Sequence, residues 1–176
     1  MQTFSWRSSP CRDGAQAGRR LVASSLLLLL PSSALFGQAL QIAPVKAVRG
    51  GRATLQVAIV SPRGRQPLAL QWEMVFPANQ LRPLDGGSTL TALARAAGKT
   101  ATCAPKTPGD ETSGFRCILI GGRQPIPNGI ILHLQFRVLP DAPKGPASVQ
   151  LDHGIWVLQD MAQAPFGPAE GVVRIR

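Results

Sequence analysis

The sequence predicts an all-β protein, a two-layered sandwich of about nine strands that follows a removable leader. Three observations lead there. Apolar and polar residues alternate from Leu40 onward, and turn residues recur every ten or so positions. Eighteen glycines and 16 prolines in 176 residues break the chain too often for a helix bundle. Hydrophobic residues at 44% against charged residues at 16% exclude both a disordered chain and a coiled coil.

Residues 1–39 read as an export signal. Arg7, Arg12, Arg19 and Arg20 against Asp13 form a positive n-region, and the run from Leu21 to Leu30 ends at Pro31. Ten residues at about 1.5 Å each reach only about half of a ~30 Å hydrocarbon core, so a membrane span is not expected. Small residues at Gly37 and Ala39 place cleavage after Ala39, with Ala34 as the alternative. No cysteine follows at a lipoprotein-like position, so no lipid anchor is expected. The expected mature domain is 40–176, exported to the medium, the cell surface or the periplasm. It keeps 15 basic and eight acidic residues, a net charge of +7. Cys11 leaves with the leader. Cys103 and Cys117 remain, an even number in an oxidising compartment, and are expected to pair. Such a bridge closes a loop of about 15 residues and contributes roughly 3 kcal/mol in the chain-entropy model.

The strands follow in order. Gln41 to Val48 is extended but interrupted by Pro44, which places it at an edge. Gly50-Gly51 turns into Arg52 to Val60, where Ala53, Leu55, Val57 and Ile59 share a face. Ser61 to Gln66 is a polar loop. In Leu68 to Phe76, Leu70, Trp72, Met74 and Phe76 point one way and Ala69, Gln71, Glu73 and Val75 the other. Pro77 to Asn79 breaks this strand, and Leu81 to Leu84 resumes briefly. Thr89 to Ala97 suits either a short helix or a strand. Lys99 to Ala104 and Gly114 to Ile120 form a hairpin across Pro105 to Ser113, with the two cysteines placed to staple it. In Gly129 to Leu139, Ile130, Leu132, Leu134, Phe136 and Val138 are expected inward, and Ile131, His133, Gln135 and Arg137 outward. Ala147 to Leu151, Ile155 to Leu158 and Gly171 to Ile175 complete the set.

No residue pattern supports catalysis, and neither cofactor nor metal is expected. A glycosidase needs two carboxylates across a cleft. Of Glu73, Asp85, Asp110, Glu111, Asp141, Asp152, Asp160 and Glu170, all but Glu73 lie in or beside turns. Nucleophile elbows and phosphate-binding glycine loops are absent from the sequence. Cys103, Cys117, His133 and His153 lie 14, 16 and 20 residues apart, without the close pairs of a structural zinc site. Asp110-Glu111 falls short of the six to eight oxygens that calcium takes. Asp152 and His153 are neighbours on a strand and should face opposite ways, and His133 reads as a solvated outward residue. Nucleic acid is not an expected partner, because the arginines are scattered from Arg49 to Arg176 and no aromatics interleave with them. A solvated basic surface is expected instead. For sugar stacking, Trp156 is the one candidate ring, since Trp72, Phe76 and Phe136 fall on inward positions, and between Ile155 and Val157 it too is expected to be buried.

Four stretches carry a family resemblance: Arg49-Gly50-Gly51-Arg52-Ala53-Thr54-Leu55-Gln56-Val57; the run from Leu70 through Phe76-Pro77-Ala78-Asn79-Gln80 to Leu81; the run from Ile126-Pro127-Asn128-Gly129 through Phe136 to Val138; and Glu170 to Ile175. In this order they resemble a cohesin domain, the jelly-roll module that receives dockerins in bacterial polysaccharide-degrading assemblies. The resemblance implies a jelly-roll sandwich, a fold shared with carbohydrate-binding modules, and a non-enzymatic role. It also implies a helical, dockerin-type protein partner on a flat sheet face that includes Ala69, Gln71, Glu73 and Val75. Ala69 stands where relatives often carry an amide. The cysteine pair departs from the best-known cohesins. The alternatives are a module that binds polysaccharide and a structural subunit of a surface assembly. The chain is expected to carry no dockerin or anchor of its own, so that any scaffold assembles non-covalently.

Overall fold

The computed structural model describes residues 38–106 and 112–176. Residues 1–37, most of the expected leader, and the Asp110-Glu111 pair lie outside the described residues.

Two sheets form a jelly-roll sandwich. The first has the order β1 (Ala39–Ile42), β3 (Arg52–Val60), β8 (Gly129–Val138), β5 (Leu81–Leu90). The second has the order β2 (Val45–Ala47), β11 (Ala169–Ile175), β9 (Gly145–Val157), β4 (Ala69–Pro77), β7 (Thr112–Ile120), β6 (Thr100–Lys106). A further strand, β10 (Gln163–Phe166), pairs with β9. The described residues thus hold eleven strands where about nine were expected.

Pro44 accounts for one of the extra strands. It has no N–H to give a ladder, so the expected single strand breaks there. β1 pairs with β3 at the edge of the first sheet, and β2 crosses to the second sheet and runs parallel to β11. The segment from Thr89 to Ala97 divides in a similar way. β5 runs to Leu90, and a single turn, α1 (Ala92–Ala96), follows. The Thr91 hydroxyl caps this turn by accepting from the Ala94 N–H at 3.4 Å, and it donates to the Ile130 carbonyl at 2.7 Å.

The inward residues of β3 and β4 are buried as alternation requires. Phe76 joins the two layers, edge-on to Phe136 at 5.1 Å between ring centres and stacked on Phe115 at 6.1 Å. Two bulges overturn readings based on simple alternation. In β8 the ladder passes from Val57–Leu132 to Ala58–Ile130, so Ile131 is an extra residue. Ile131 and Leu132 are both buried, and Ile130, expected inward, is 36% exposed. In β9 the ladder with β4 jumps from Gln71–Ile155 to Glu73–Asp152, and His153 takes up the slack at a φ of +49°. The predicted Ala147 to Leu151 and Ile155 to Leu158 are therefore one bent strand. Asp152 and His153 do not oppose each other, because both side chains emerge on the outer face. Gly154 is required beside this bulge: a Cβ there would sit inside the ring of Phe166 on β10.

Three sets of side-chain links fasten separate segments of the sandwich to one another. The Asn128 amide copies a strand backbone, accepting from the Ser61 N–H at 2.9 Å and donating to the Ser61 carbonyl at 2.8 Å. Lys99 is buried and donates to the carbonyls of Leu68 (2.9 Å) and Gly121 (2.5 Å), and burial pushes its ammonium pKa down. Cys103 on β6 faces Cys117 on β7 directly, and the two are disulfide-bonded, as expected from the sequence.

Candidate protein-docking face

The outer face of the second sheet is built from alternate residues of β9, β4, β7 and β6. Cross-strand register aligns them in rows. Val157, Ala69, Ile120 and Thr100 follow one line, and Ile155, Gln71, Ile118 and Thr102 the next. Beyond these come Asp152, Glu73, Arg116 and Ala104, then Gln150, Val75, Gly114 and Lys106. One end is therefore apolar and hydroxylic, and the middle is charged.

The four positions singled out from the sequence do lie together on this face, in its central strand. They form its floor. Ala69, Gln71 and Val75 are half-buried. Glu73 is buried, its side chain only 7% exposed. The groups that stand proud belong to neighbouring strands: Ile118 and Ile120 on β7, at 38% and 49% exposure, with Arg116 and Lys106 beside them. Sequence reasoning missed these. The available signal was Ile118-Leu119-Ile120, where apolar residues occupy both faces of a strand although only one face can be core.

Glu73 organises the charged row. Lys106 Nζ lies 2.5 Å from its Oε2, and Arg116 donates to Oε1 through Nη2 at 2.6 Å and Nε at 3.1 Å. Lys106 reaches across β7 at Gly114, which has no side chain to block it. A Cβ on Gly114 would in any case collide with the Met74 carbonyl. His153 Nδ1 stands 3.5 Å from Glu73 and 3.7 Å from Asp152. The hydrogen bonds from Lys106 and then Arg116 outweigh desolvation and hold the Glu73 carboxyl at about 2, against an ordinary 4.5. What reaches solvent is accordingly guanidinium, ammonium and imidazole together with the exposed Asp152 carboxylate, and the Glu73 carboxylate lies beneath them.

This geometry has chemical consequences. A carboxyl locked in its ionised form cannot donate a proton near neutral pH, so Glu73 is unsuited to acid catalysis. Among the described residues, no group of three His, Cys, Asp or Glu is placed to hold a metal. A shallow cleft of about 290 Å³ opens where β4 and β9 part, lined by Val75, Pro77, Thr112, Ser148 and Gln150 among others. It presents no exposed aromatic ring. Trp156, the candidate ring for sugar, is fully buried, as its flanking residues led us to expect, and edge-on to Phe166 at 4.8 Å, and Trp72, Phe76 and Phe136 are buried as well.

No protein-family model matches the sequence, and no curated protein does. Solved structures do match in fold, and they are cohesins. The OlpA cohesin of Clostridium thermocellum, from a type I cohesin–dockerin complex, superposes with a TM-score of 0.63 at 14% identity, covering 80% of this chain and 99% of its own. The sixth cohesin of Acetivibrio cellulolyticus scaffoldin B, in complex with a Cel5 dockerin variant, gives 0.60 at 15% identity, with 80% and 99% covered. A non-cellulosomal cohesin from the archaeon Archaeoglobus fulgidus gives 0.60 at 13% identity, with 80% and 91% covered. The likeness is one of fold, and it spans nearly the whole of each neighbour.

Proposed function

We propose that this chain is an exported, non-catalytic docking module that receives a protein partner on the outer face of the second sheet. The observation that carries the reading is the coincidence of two features on one surface. The fold is that of modules crystallised with dockerins. Its second sheet also presents exposed isoleucines beside a pre-formed charge cluster. Apolar anchors flanked on one side by ordered charges suit a helical, dockerin-type partner, with Ile118 and Ile120 as anchors and Arg116 and Lys106 as the groups that set orientation. Ala69, Gln71 and Val75 supply the flat floor between them. The leader at 1–39 supports export, and a role in extracellular polysaccharide degradation follows from the partner class.

The test uses the full chain, recovered after export and presented with calcium to a panel of dockerin-bearing proteins. The reading expects a retained dockerin. Ile118→Asp together with Ile120→Asp is expected to weaken it at least tenfold while leaving the fold intact, since both side chains are exposed. Retention of none of the panel, or equal retention by the variant, overturns it.

A further inference from the structure

The opposite face of the molecule carries an arrangement that the docking reading does not use. Arg52 on β3 is directly across from Arg137 on β8, and Arg137 is directly across from Arg82 on β5. All three are exposed. Arginines 30 and 55 positions apart in sequence therefore form one row across three adjacent strands. With strands about 4.8 Å apart, the row spans roughly 10 Å. Like charges directly opposite on neighbouring strands destabilise a sheet. Nothing among the described residues relieves this repulsion: none of the three makes an ion pair, and Arg137 spends one N–H on the Gly50 carbonyl at 3.2 Å. The four strands of this sheet hold a single acidic residue in their sequences, Asp85.

From this row we infer that the outer face of the β1-β3-β8-β5 sheet binds an acidic polysaccharide through its carboxylates. Each guanidinium offers a planar fork of donors that fits a carboxylate. A linear polymer with a charge on successive sugars can satisfy three aligned forks at once. The neighbouring outward positions choose this partner over a lipid surface. Thr54 lies across from Gln135, and Gln56 across from His133, which faces Thr89. These are hydroxyl, amide and imidazole groups matched to a polyhydroxylated chain; the exposed Val60 and Ile130 lie at the opposite ends of β3 and β8 from the arginines, and a single valine, Val48, is exposed near the row. Binding of this kind is independent of ring stacking, so it is compatible with the burial of Trp72 and Trp156.

Affinity electrophoresis of the disulfide-bonded protein in gels containing polygalacturonate tests the inference. Retardation is expected, falling steeply with added salt, and fully methyl-esterified polymer should give none. Arg52→Gln, Arg82→Gln and Arg137→Gln combined should weaken binding about tenfold or more, the size of three exposed ion pairs acting together. Its thermal midpoint should be unchanged or raised, because the repulsion is gone; a misfolded variant would show the reverse. Arg63→Gln, Arg65→Gln and Arg123→Gln combined remove the same net charge from loops and should leave binding within twofold. Absence of retardation overturns the inference, and so does an equal loss in both triple variants, which would mean bulk charge alone. Equal, row-dependent binding to phosphatidylserine-containing vesicles also overturns it, in favour of an anionic lipid surface.

Discussion

Glu73 stands on the outward side of β4, as the alternation of Leu68 to Phe76 requires, yet Lys106 and Arg116 cover it. Parity along one strand was legible in the sequence. The covering was not, because it depends on the register of β7 and β6 against β4, which places Arg116 opposite and Lys106 within reach. The same holds for His153, whose position beside Glu73 comes from a bulge and not from any local propensity. The clamp makes a pH-dependent contribution with a definite sign. The folded carboxyl titrates at about 2 and the unfolded one at 4.5, so the stabilisation is complete above pH 4.5 and is lost as pH falls toward 2. Urea midpoints of the parent protein and of Glu73→Gln should therefore differ most above pH 4.5 and converge on acidification. A difference that stays constant through this range would show that the carboxylate is not held by its cations.

At the level of elements, β3 and β4 matched their alternation closely, because their inward residues keep a period of two throughout. Errors fell where an opposing strand imposed an extra residue. Ile131 turns inward because Val57 and Ala58 oppose Leu132 and Ile130, and nothing within Gly129 to Leu139 announces it. β10 was missed because Gln163–Phe166 includes a proline and is short, and it is held by Phe166 closing over Gly154. β6 is the most dependent element. It is an edge strand with largely exposed side chains, fastened by Cys103–Cys117 and by the reach of Lys106 to Glu73. Replacing both cysteines by serine should lower unfolding free energy by roughly 3 kcal/mol, the entropy of a loop of this length, while leaving strand content unchanged. Hydrogen exchange should then show β6 amides losing protection ahead of those in β4 and β9. Uniform loss of protection across the sheet would assign the bridge a global role instead.

Across the whole molecule, five of the fifteen basic groups in residues 40–176, dispersed in sequence, are brought by the fold onto two outer faces. On the second sheet, Arg116 and Lys106 pair with Glu73 beside the exposed Ile118 and Ile120, where the proposed docking uses them for orientation. On the first, Arg52, Arg82 and Arg137 stand in line. Antiparallel pairing of β3, β8 and β5 creates that line, so no reading of sequence proximity reveals it, whereas a family resemblance alone was enough to point at the β4 face. The two faces look away from each other across layers packed about 10 Å apart. A ligand on one cannot reach the other without passing an edge, and no shared side chain links the two rows. Both sites should therefore fill together. Calorimetric titration of a docked protein partner should give a dissociation constant that changes less than twofold when polygalacturonate is present at saturation. The Arg52, Arg82 and Arg137 triple variant should bind that partner normally, and the Ile118 and Ile120 variant should bind the polymer normally. Competition between the ligands would place both on one face, and the isoleucine variant would then identify which, because only a polymer seated on the second sheet would respond to it.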